Sequence, residues 1–238
     1  MTATGHSIRL HVAAPLAAGA VIVLTGGQAH YLGAVMRCAV GAAVRVFNGA
    51  DGEWLARIAG LRKERGSLVV ERLLRRQAIE PDLWLLFAPL KRDATDLVAQ
   101  KATELGVAAL LPVLTARTNA ARVKVERLTA IATEAAEQSE RLTVPRVAAP
   151  VELEERLASW PGERVLVVAA ERMEAAPIRS SSGPAALLIG PEGGFTPREL
   201  DLLARHPFVR FVTLGPRILR ADTAAIVGLA LLQASPGG

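Results

Sequence analysis

The hydrophobic residues follow two different patterns along the chain. In residues 8–74 the apolar runs are short, closely spaced and separated by glycine turns, which is typical of neighbouring strands. This pattern favours a small β-barrel with one helix. The predicted strands are Ile8–Val12, Val21–Leu24, Ala43–Phe47, Glu53–Ala59 and Ser67–Leu73, the turns are Gly49–Gly52 and Arg65–Gly66, and the helix lies near Gln28–Cys38.

The pattern changes after the polar segment Arg75–Pro81, which we interpret as a linker. Continuous apolar runs, as expected for strands buried on both faces, then alternate with segments of helical periodicity. This alternation predicts a mostly parallel sheet with helices on its faces, and so two domains, residues 1–74 and 79–238. The predicted elements are Leu83–Ala88, a helix capped by Asp93 and ended by Gly106, Val107–Leu114, a helix over about Val123–Leu142, Glu152–Ser159, Arg164–Ala169, Ala185–Ile189 and Phe208–Leu214.

Two strand–turn–helix units stand near the C-terminus. The first turn reads GPEGGF from Gly190 to Phe195, and its glycines allow positive φ and close approach of the backbone to a ligand. Thr196, Pro197 and Glu199 then form a helix start with a predicted capping box. The second turn, LGPRILRADTA from Leu214 to Ala224, leads into the apolar helix Ala224–Leu232. We expect the two turns to line one cavity.

Charge and composition exclude fewer functions than these motifs do. The formal charge is +5 and the isoelectric point is about 10.1, values that suggest a polyanionic partner. Most of the basic residues are arginine, and a coding bias toward arginine and alanine explains this preference as well as a function does. The chain has one cysteine and four histidines without ligand spacing, so no metal site is predicted. Neither a leader nor a membrane-spanning run is evident, and we expect a cytoplasmic protein.

The two C-terminal motifs together resemble the RsmE family of SPOUT-class RNA methyltransferases. In the second motif Asp222 stands where that family has glutamate. The resemblance implies a SPOUT-type α/β sandwich with a C-terminal trefoil knot, preceded by a PUA-like RNA-binding β-barrel. The segment HYLGAVMRCAVGAAVRVFNG resembles the signature of that barrel. It further implies S-adenosylmethionine (SAM) as cofactor, methylation of N3 of a uridine in 16S rRNA of the small ribosomal subunit, and a homodimer.

The resemblance and the motifs together nominate the site residues. The segment Glu134–Arg141 resembles the family's AxEQSxR segment, and Arg117 matches the arginine of its ERS-type loop, although the glutamate of that loop is missing here. The predicted catalytic residues are Arg220, Arg117, Arg141, Glu134 and Asp222. The predicted cofactor-binding residues are Leu188, Ile189, Gly190, Pro191, Glu192, Gly193, Gly194, Leu214, Gly215, Ile218, Leu219 and Arg220. The predicted RNA-binding residues are Arg9, Arg37, Arg45, Lys91 and Arg92.

The chemistry of N3 methylation explains why arginines are nominated. Uracil N3 is a poor nucleophile until its imide proton leaves, and guanidinium groups against O2 or O4 would stabilise the resulting anion. Arg220 is the first choice for this role. Asp222 or Glu134 could accept the proton, or water could do so, and Asp222 could instead only cap the last helix. A ribose 2′-O-methyltransferase and a non-catalytic RNA-binding module remain alternative functions.

Overall fold

The computed structural model describes residues 8–119, 123–170, 175–181 and 183–234. The chain forms two compact units. The first contains Met1–Ile79 and Ala136–Val144, and the second contains Glu80–Ala135 and Pro145–Gly238.

The first unit is built on a five-stranded sheet. Its strands are β1 (Arg9–His11), β2 (Val21–Val23), β3 (Ala43–Phe47), β4 (Glu53–Arg62) and β5 (Arg65–Arg75). The order is β1-β3-β4-β5-β2, in which β1 pairs parallel to β3 and the other pairs are antiparallel. Helix α1 (Gly26–His30) continues into a π-helical turn, Tyr31–Val35. The predicted strands and helix of this region are therefore confirmed, with small changes at their ends. The turn predicted at Arg65–Gly66 is wrong, because these residues begin β5 and the turn lies at Lys63–Glu64.

The core of the first unit consists of the inward-facing residues of these strands. Alternate residues of β3 and β4, including Val44, Val46, Ala56 and Ile58, are fully buried together with Leu32 from the π-helical turn. Strand residues alternate between two faces, so each strand gives the core every second side chain.

The second unit is an α/β sandwich with a parallel sheet, as predicted. Its strands run in the order β11-β13-β10-β12-β6-β7-β8, with β9 pairing to β7, and the described pairs are parallel. The strands are β6 (Leu83–Phe87), β7 (Ala109–Leu114), β8 (Arg146–Val147), β9 (Val151–Glu152), β10 (Val165–Ala169), β11 (Ala176–Pro177), β12 (Ala185–Ile189) and β13 (Val209–Thr213). The helices that belong to it wholly or in part are α2 (Arg92–Glu104), α3 (Val125–Gln138), α4 (Leu153–Ala158), α5 (Pro197–Ala204) and α6 (Ala221–Gln233).

Helices cover both faces of this sheet because its strands are apolar on both sides. Leu86 and Leu188 belong to a core cluster with Leu153 of α4 and Leu203 of α5. On the other face α6 approaches β12 so closely that a Cβ on Gly228 would lie 2.7 Å from the Leu187 side chain. The trefoil knot implied by the family resemblance stays a prediction.

Several helix boundaries differ from the sequence prediction, and α6 runs over Ala221–Gln233 rather than Ala224–Leu232. The N-cap of α2 is Lys91 rather than Asp93. Asp93 lies inside the first turn, where its negative charge interacts favourably with the positive end of the helix dipole. Helix α3 ends at Gln138 rather than near Leu142, because Glu140 adopts a φ of +59°. The amide of Arg141 then bonds back to the carbonyl of Ala136 at 3.1 Å, as in a Schellman motif. Arg141 therefore lies outside α3, although the predicted helix includes it.

Candidate functional site

A cavity of about 590 Å³ in the second unit lies at the carboxyl ends of the parallel strands. Ile189 ends β12, Ala169 ends β10, and Lys91, Arg117 and Arg220 lie on the segments that follow β6, β7 and β13. The chain changes the direction in which it adds strands between β6 and β12. From β6 it adds β7 and β8 on one side of the sheet, and β12, β10 and β13 lie on the other side. Open α/β sheets bind ligands in the crevice at such a switch point.

The GPEGGF turn forms one wall of the cavity. Gly194 has a φ of +67°, which disfavours side chains with a Cβ, and its amide bonds to the carbonyl of Pro191 at 2.8 Å. Gly190 is needed for a different reason, because a Cβ there would lie 2.9 Å from the ring of Phe195. Both glycines let the backbone itself, rather than side chains, face the cavity.

The predicted capping box after this turn is confirmed. The Thr196 hydroxyl accepts a bond from the Glu199 amide at 3.3 Å, and the Glu199 carboxylate accepts the Thr196 amide at 2.7 Å. The second oxygen of Glu199 accepts the amide of Ala116 at 2.8 Å. One carboxylate therefore holds both the start of α5 and the loop that carries Arg117.

Arg117 is fixed against the first turn. Its Nη1 donates to the carbonyl of Gly193 at 2.7 Å, and a Cβ on Gly193 would lie 3.3 Å from the Arg117 side chain. The guanidinium keeps further donors for a ligand, because this group carries five N–H bonds.

The second motif forms another wall. Gly215 has a φ of +126°, and Ile218 is 77% exposed, which is unusual for a large apolar side chain. Arg220 is the N-cap residue of α6 through its backbone: its carbonyl accepts the Ala224 amide at 2.8 Å. Among the described residues its guanidinium has no hydrogen bond or ion pair, so it is available to a ligand.

The structure brings most of the predicted cofactor-binding residues together. Leu188 is instead fully buried in the sheet, and neither Leu214 nor Gly215 is part of the lining. The residues that line the cavity as predicted are Ile189, Gly190, Pro191, Glu192, Gly193, Gly194, Ile218, Leu219 and Arg220.

The predicted catalytic residues separate into two groups. Arg220 and Arg117 line the cavity, whereas Arg141, Glu134 and Asp222 do not. Arg141 belongs to the first unit, where it is 8% exposed and donates to the Thr143 hydroxyl at 2.9 Å. Asp222 is not the cap of α6; it lies in the first turn, where its Oδ1 accepts the amide of Thr223 at 2.6 Å. Glu134 is exposed on α3.

One predicted RNA-binding residue is corrected. Arg9 is 5% exposed, and it donates to the Glu53 carboxylate at 2.5 Å and to the carbonyls of Ala136, Glu137 and Arg141. A guanidinium whose donors are used inside the unit does not face RNA. Of the others, Arg45 is partly exposed and pairs with Glu140 at 3.4 Å, and Arg37, Lys91 and Arg92 are exposed.

Several lining residues were missed by the sequence prediction. The side chains concerned are small or apolar. Three of them, Phe195, Ala221 and Ala224, belong to the two quoted motifs, whereas Ala169 and Ala170 reach the cavity through strand order, which the sequence does not display. Strand ends were the available signal, since Ala169 and Ala170 lie where β10 ends. The missed residues are Ala169, Ala170, Phe195, Leu200, Ala221 and Ala224.

The lining suits SAM in both charge and polarity. The backbone of the GPEGGF turn and the cations Lys91, Arg117 and Arg220 can hold the ribose hydroxyls and the carboxylate of a ligand. Ile189, Leu200 and Leu219 offer apolar contact to a flat ring. Among the described residues no cluster of metal-ligating side chains occurs. Within the same residues no helix is long and apolar enough to cross a membrane.

Comparisons with known proteins agree with this site. A family model described as an RNA methyltransferase domain matches residues 78–233, and one described as an RNA methyltransferase PUA domain matches residues 24–71. The protein named Ribosomal RNA small subunit methyltransferase E of Rickettsia conorii is 35% identical over 230 residues, which are 94% of each chain. Its namesake from Synechocystis is 35% identical over 95% of this chain and 77% of its own.

Solved structures show the same architecture. The Neisseria gonorrhoeae Ribosomal RNA small subunit methyltransferase E bound to SAM has a TM-score of 0.85 and 28% identity, covering 94% of this chain and 96% of its own. A putative methyltransferase from Legionella pneumophila in complex with SAM has a TM-score of 0.84 and 27% identity, covering 96% and 97%. The chain therefore belongs to the RNA methyltransferase family whose curated members are named Ribosomal RNA small subunit methyltransferase E.

Proposed function

We propose that this protein is a SAM-dependent methyltransferase that modifies N3 of one uridine in 16S rRNA of the small ribosomal subunit. The observation that carries the proposal is the cavity at the switch point, where two glycine-containing turns and three cations converge. Family membership supports the substrate class, because the relatives are named as small-subunit rRNA methyltransferases. The SAM bound to the two similar structures supports the cofactor.

The residues of the two turns would hold the cofactor. Backbone groups of the GPEGGF turn that are not already bonded within the protein would bond to its polar edges, and Ile189 and Leu219 would pack against its adenine. When bound, SAM would supply a methyl group from its sulfonium. The leaving group is then a neutral thioether, which needs no acid catalyst. Gly194 and Gly190 contribute by leaving the backbone accessible.

The cations of the cavity would activate the nucleophile. Arg220 and Arg117, placed against O2 or O4 of the uracil, would stabilise the negative charge that forms when the N3 proton leaves. Arg117 is oriented by its bond to the Gly193 carbonyl. Of the carboxylates first considered as proton acceptors, Asp222 and Glu134 lie outside the lining. Glu192 is the one carboxylate in the described lining, so it or water would take the proton.

A transfer assay tests the proposal. The protein is incubated with methyl-labelled SAM and small subunits from cells lacking this modification, and the RNA is digested to nucleosides. Label in 3-methyluridine supports the proposal. Label in a 2′-O-methylated nucleoside would assign the alternative ribose methyltransferase. Absence of both transfer and calorimetric binding of S-adenosylhomocysteine would assign a non-catalytic RNA-binding module.

The remaining expectations belong to the same proposal. We assign residues 1–74 to a PUA-like RNA-binding domain and residues 79–238 to a SPOUT methyltransferase domain with a knotted C-terminus. The family match to a PUA domain over residues 24–71 supports the first assignment. We also propose a homodimer acting in the cytoplasm. Light scattering tests the dimer, which would be contradicted by a mass near the 25.1 kDa of one chain.

A further inference from the structure

The second unit contains another pocket beside the large cavity. Its volume is about 230 Å³, below the range of about 300–1,000 Å³ that holds drug-sized ligands. The pocket therefore fits a single ring system. The lining residues are Pro89, Leu90, Arg92, Thr95, Asp96, Val123, Lys124, Arg127 and Leu128.

The two cavities share one stretch of chain. Pro89 and Leu90 line the small pocket, Lys91 lines the large cavity, and Arg92 again lines the small pocket. Consecutive Cα atoms are about 3.8 Å apart. A polymer whose one unit lies in the large cavity can therefore place a neighbouring unit in the small pocket.

The floor of the small pocket is apolar and its polar groups are already satisfied. Leu128 is 2% exposed, and the buried Thr95 hydroxyl bonds with both the amide and the carbonyl of Leu90, at 2.9 and 3.0 Å. The single donor of the Thr95 hydroxyl and one of its two lone pairs are therefore used inside the protein, which leaves no donor on Thr95 to read a base edge. Such a floor accepts any flat ring by shape and stacking, which is sequence-tolerant.

The charge at the rim is positive. Arg127 is neutralised by Asp96, to which it donates from Nε at 3.0 Å and from Nη2 at 2.5 Å, and this two-point pairing fixes the plane of its guanidinium. Arg92 and Lys124 are exposed and have no ion pair with an acid among the residues that the structure describes. These two cations are free to bind phosphates.

We propose that the small pocket binds the nucleotide next to the target uridine of the same RNA strand. The base lies on Leu128 and Val123 with the Arg127 guanidinium against its face, and Arg92 and Lys124 contact its phosphates. This inference rests on the proposed function, which places the target uridine in the large cavity. It adds a subsite that positions the strand without selecting the neighbouring base.

The first experiment removes the two free cations. The double variant Arg92→Ala with Lys124→Ala changes only exposed side chains, so the fold is expected to persist, with an unchanged Tm. We expect the KM for small subunits to rise about tenfold with kcat and S-adenosylhomocysteine affinity unchanged. The slope of log KM against log salt should fall by about 1.4, since each phosphate contact to a single strand contributes roughly 0.7. Arg205→Ala, an exposed arginine outside both cavities, is the matched control.

The second experiment tests the base seat. Val123→Trp fills the half-buried rim of the pocket and should raise KM about tenfold while leaving the salt slope unchanged, because no charge is removed. A photo-reactive benzoylphenylalanine at position 123 should cross-link to the nucleotide adjacent to the modified uridine. A cross-link to a ribosomal protein alone, or none, would overturn the proposal.

Failure of this inference is distinguishable from failure of the proposed function. If the wild-type protein transfers methyl groups and the pocket variants match Arg205→Ala, the subsite is wrong while the function stands. If the wild-type protein transfers none, filter binding to small subunits replaces KM as the readout, and the same comparison of variants decides. Equal losses of cofactor affinity in the pocket variants would also overturn the subsite.

Discussion

The arginines of the first unit and those of the large cavity belong to the same residue type but are used in opposite ways. Arg9 donates hydrogen bonds inside the protein, to the Glu53 carboxylate and to three carbonyls in and just after the end of α3, at distances of 2.5 to 2.9 Å. Arg220, in contrast, is exposed, and its guanidinium has no acceptor among the described residues. The sequence does not show which arginine is structural and which faces a ligand, because each lies in or beside a predicted secondary-structure element of a basic chain.

The difference shows that a carboxylate partner inside the protein decides whether an arginine has a structural role. Glu53 lies 44 positions from Arg9 and also accepts Arg75 at 2.9 Å. Burial raises the pKa of Glu53, but the hydrogen bonds and charges of Arg9 and Arg75 outweigh it, and the pKa lies below its ordinary value. The carboxylate thus stays charged and makes the buried arginine a structural element. The cavity offers Arg220 no such partner.

Arg9→Ala tests the structural half of this comparison and should have the largest effect. It leaves the Glu53 charge buried without its closest partner and removes the bonds to two carbonyls of α3 and to that of Arg141, so the free energy of unfolding should fall by about 3–5 kcal/mol. Urea unfolding measures this loss. The exposed Arg37→Ala should stay within about 0.5 kcal/mol of wild type. A loss under 1 kcal/mol for Arg9→Ala would show that the buried pair is dispensable.

Arg220→Ala tests the ligand-facing half. Loss of one preorganised donor to a developing anion typically lowers kcat by about 10² to 10³, or roughly 2.7–4 kcal/mol. Stability should not change, because the side chain is exposed and bonds to no described residue. The affinity for S-adenosylhomocysteine should fall far less than kcat, because Arg220 is one of three cations in the lining. Single-turnover transfer and calorimetry measure the two quantities. Arg220→Lys keeps the charge without the two-pronged geometry and should recover only part of the rate. Normal turnover of the alanine variant would refute anion stabilisation.

Local signals in the sequence predicted the elements well. The bounds of β3 and β12 and the capping box at Thr196 and Glu199 agree with the structure, because alternation, burial and cap chemistry act over a few residues. The parallel sheet followed from the alternation of elements. Helix α3 was predicted too long because its amphipathic pattern continues past Glu140, and a left-handed residue other than glycine or asparagine gives no clear stop signal.

The candidate site was predictable only where its residues are contiguous. The two motifs supplied most of the lining, but Ala169 and Ala170 enter because β10 lies beside β12, and strand order is a non-local property. The burial of Arg9 was unpredictable for the same reason. Its acceptors come from β4 and from residues 136–141, which include the end of α3 and group with the first unit, although the rest of α3 belongs to the second.

Gly190→Ala sharpens the comparison at the level of the cavity backbone. The new Cβ would lie 2.9 Å from the Phe195 ring, so the ring must move, at a cost of about 1–3 kcal/mol, and the cavity wall moves with it. We expect weaker S-adenosylhomocysteine binding and a lower Tm, measured by calorimetry. Gly162→Ala is the matched control, since a Cβ there meets nothing within 4 Å. Equal behaviour of the two variants would mean that the tight contact is not needed.

Glu199→Ala separates the positioning of Arg117 from its charge. The variant removes the acceptor of the Ala116 amide and half of the capping box, so stability should fall by about 1–2 kcal/mol. Turnover should fall several-fold because the Arg117 loop loses its anchor. Glu154→Ala removes a first-turn carboxylate of α4 and should cost no more than about 1 kcal/mol, without a change in turnover. Unchanged turnover of Glu199→Ala would leave that residue a helix cap alone.

The smallest expected effect is the pH dependence of the first unit. Burial lowers the pKa of His11, whose ring packs edge-on against Phe47 at 5.4 Å, so the folded state favours the neutral imidazole. A depressed folded pKa stabilises the fold fully above the unfolded value of about 6.5, and this contribution is lost as pH falls through the folded pKa. The lowered pKa of Glu53 acts in the same direction, but only below its unfolded value of about 4.3. The free energy of unfolding should therefore decline in two separate steps on acidification. His11→Gln should abolish the upper step and keep the lower one, and if urea unfolding shows the same slope between pH 7 and 5 in both proteins, the assignment to His11 is wrong.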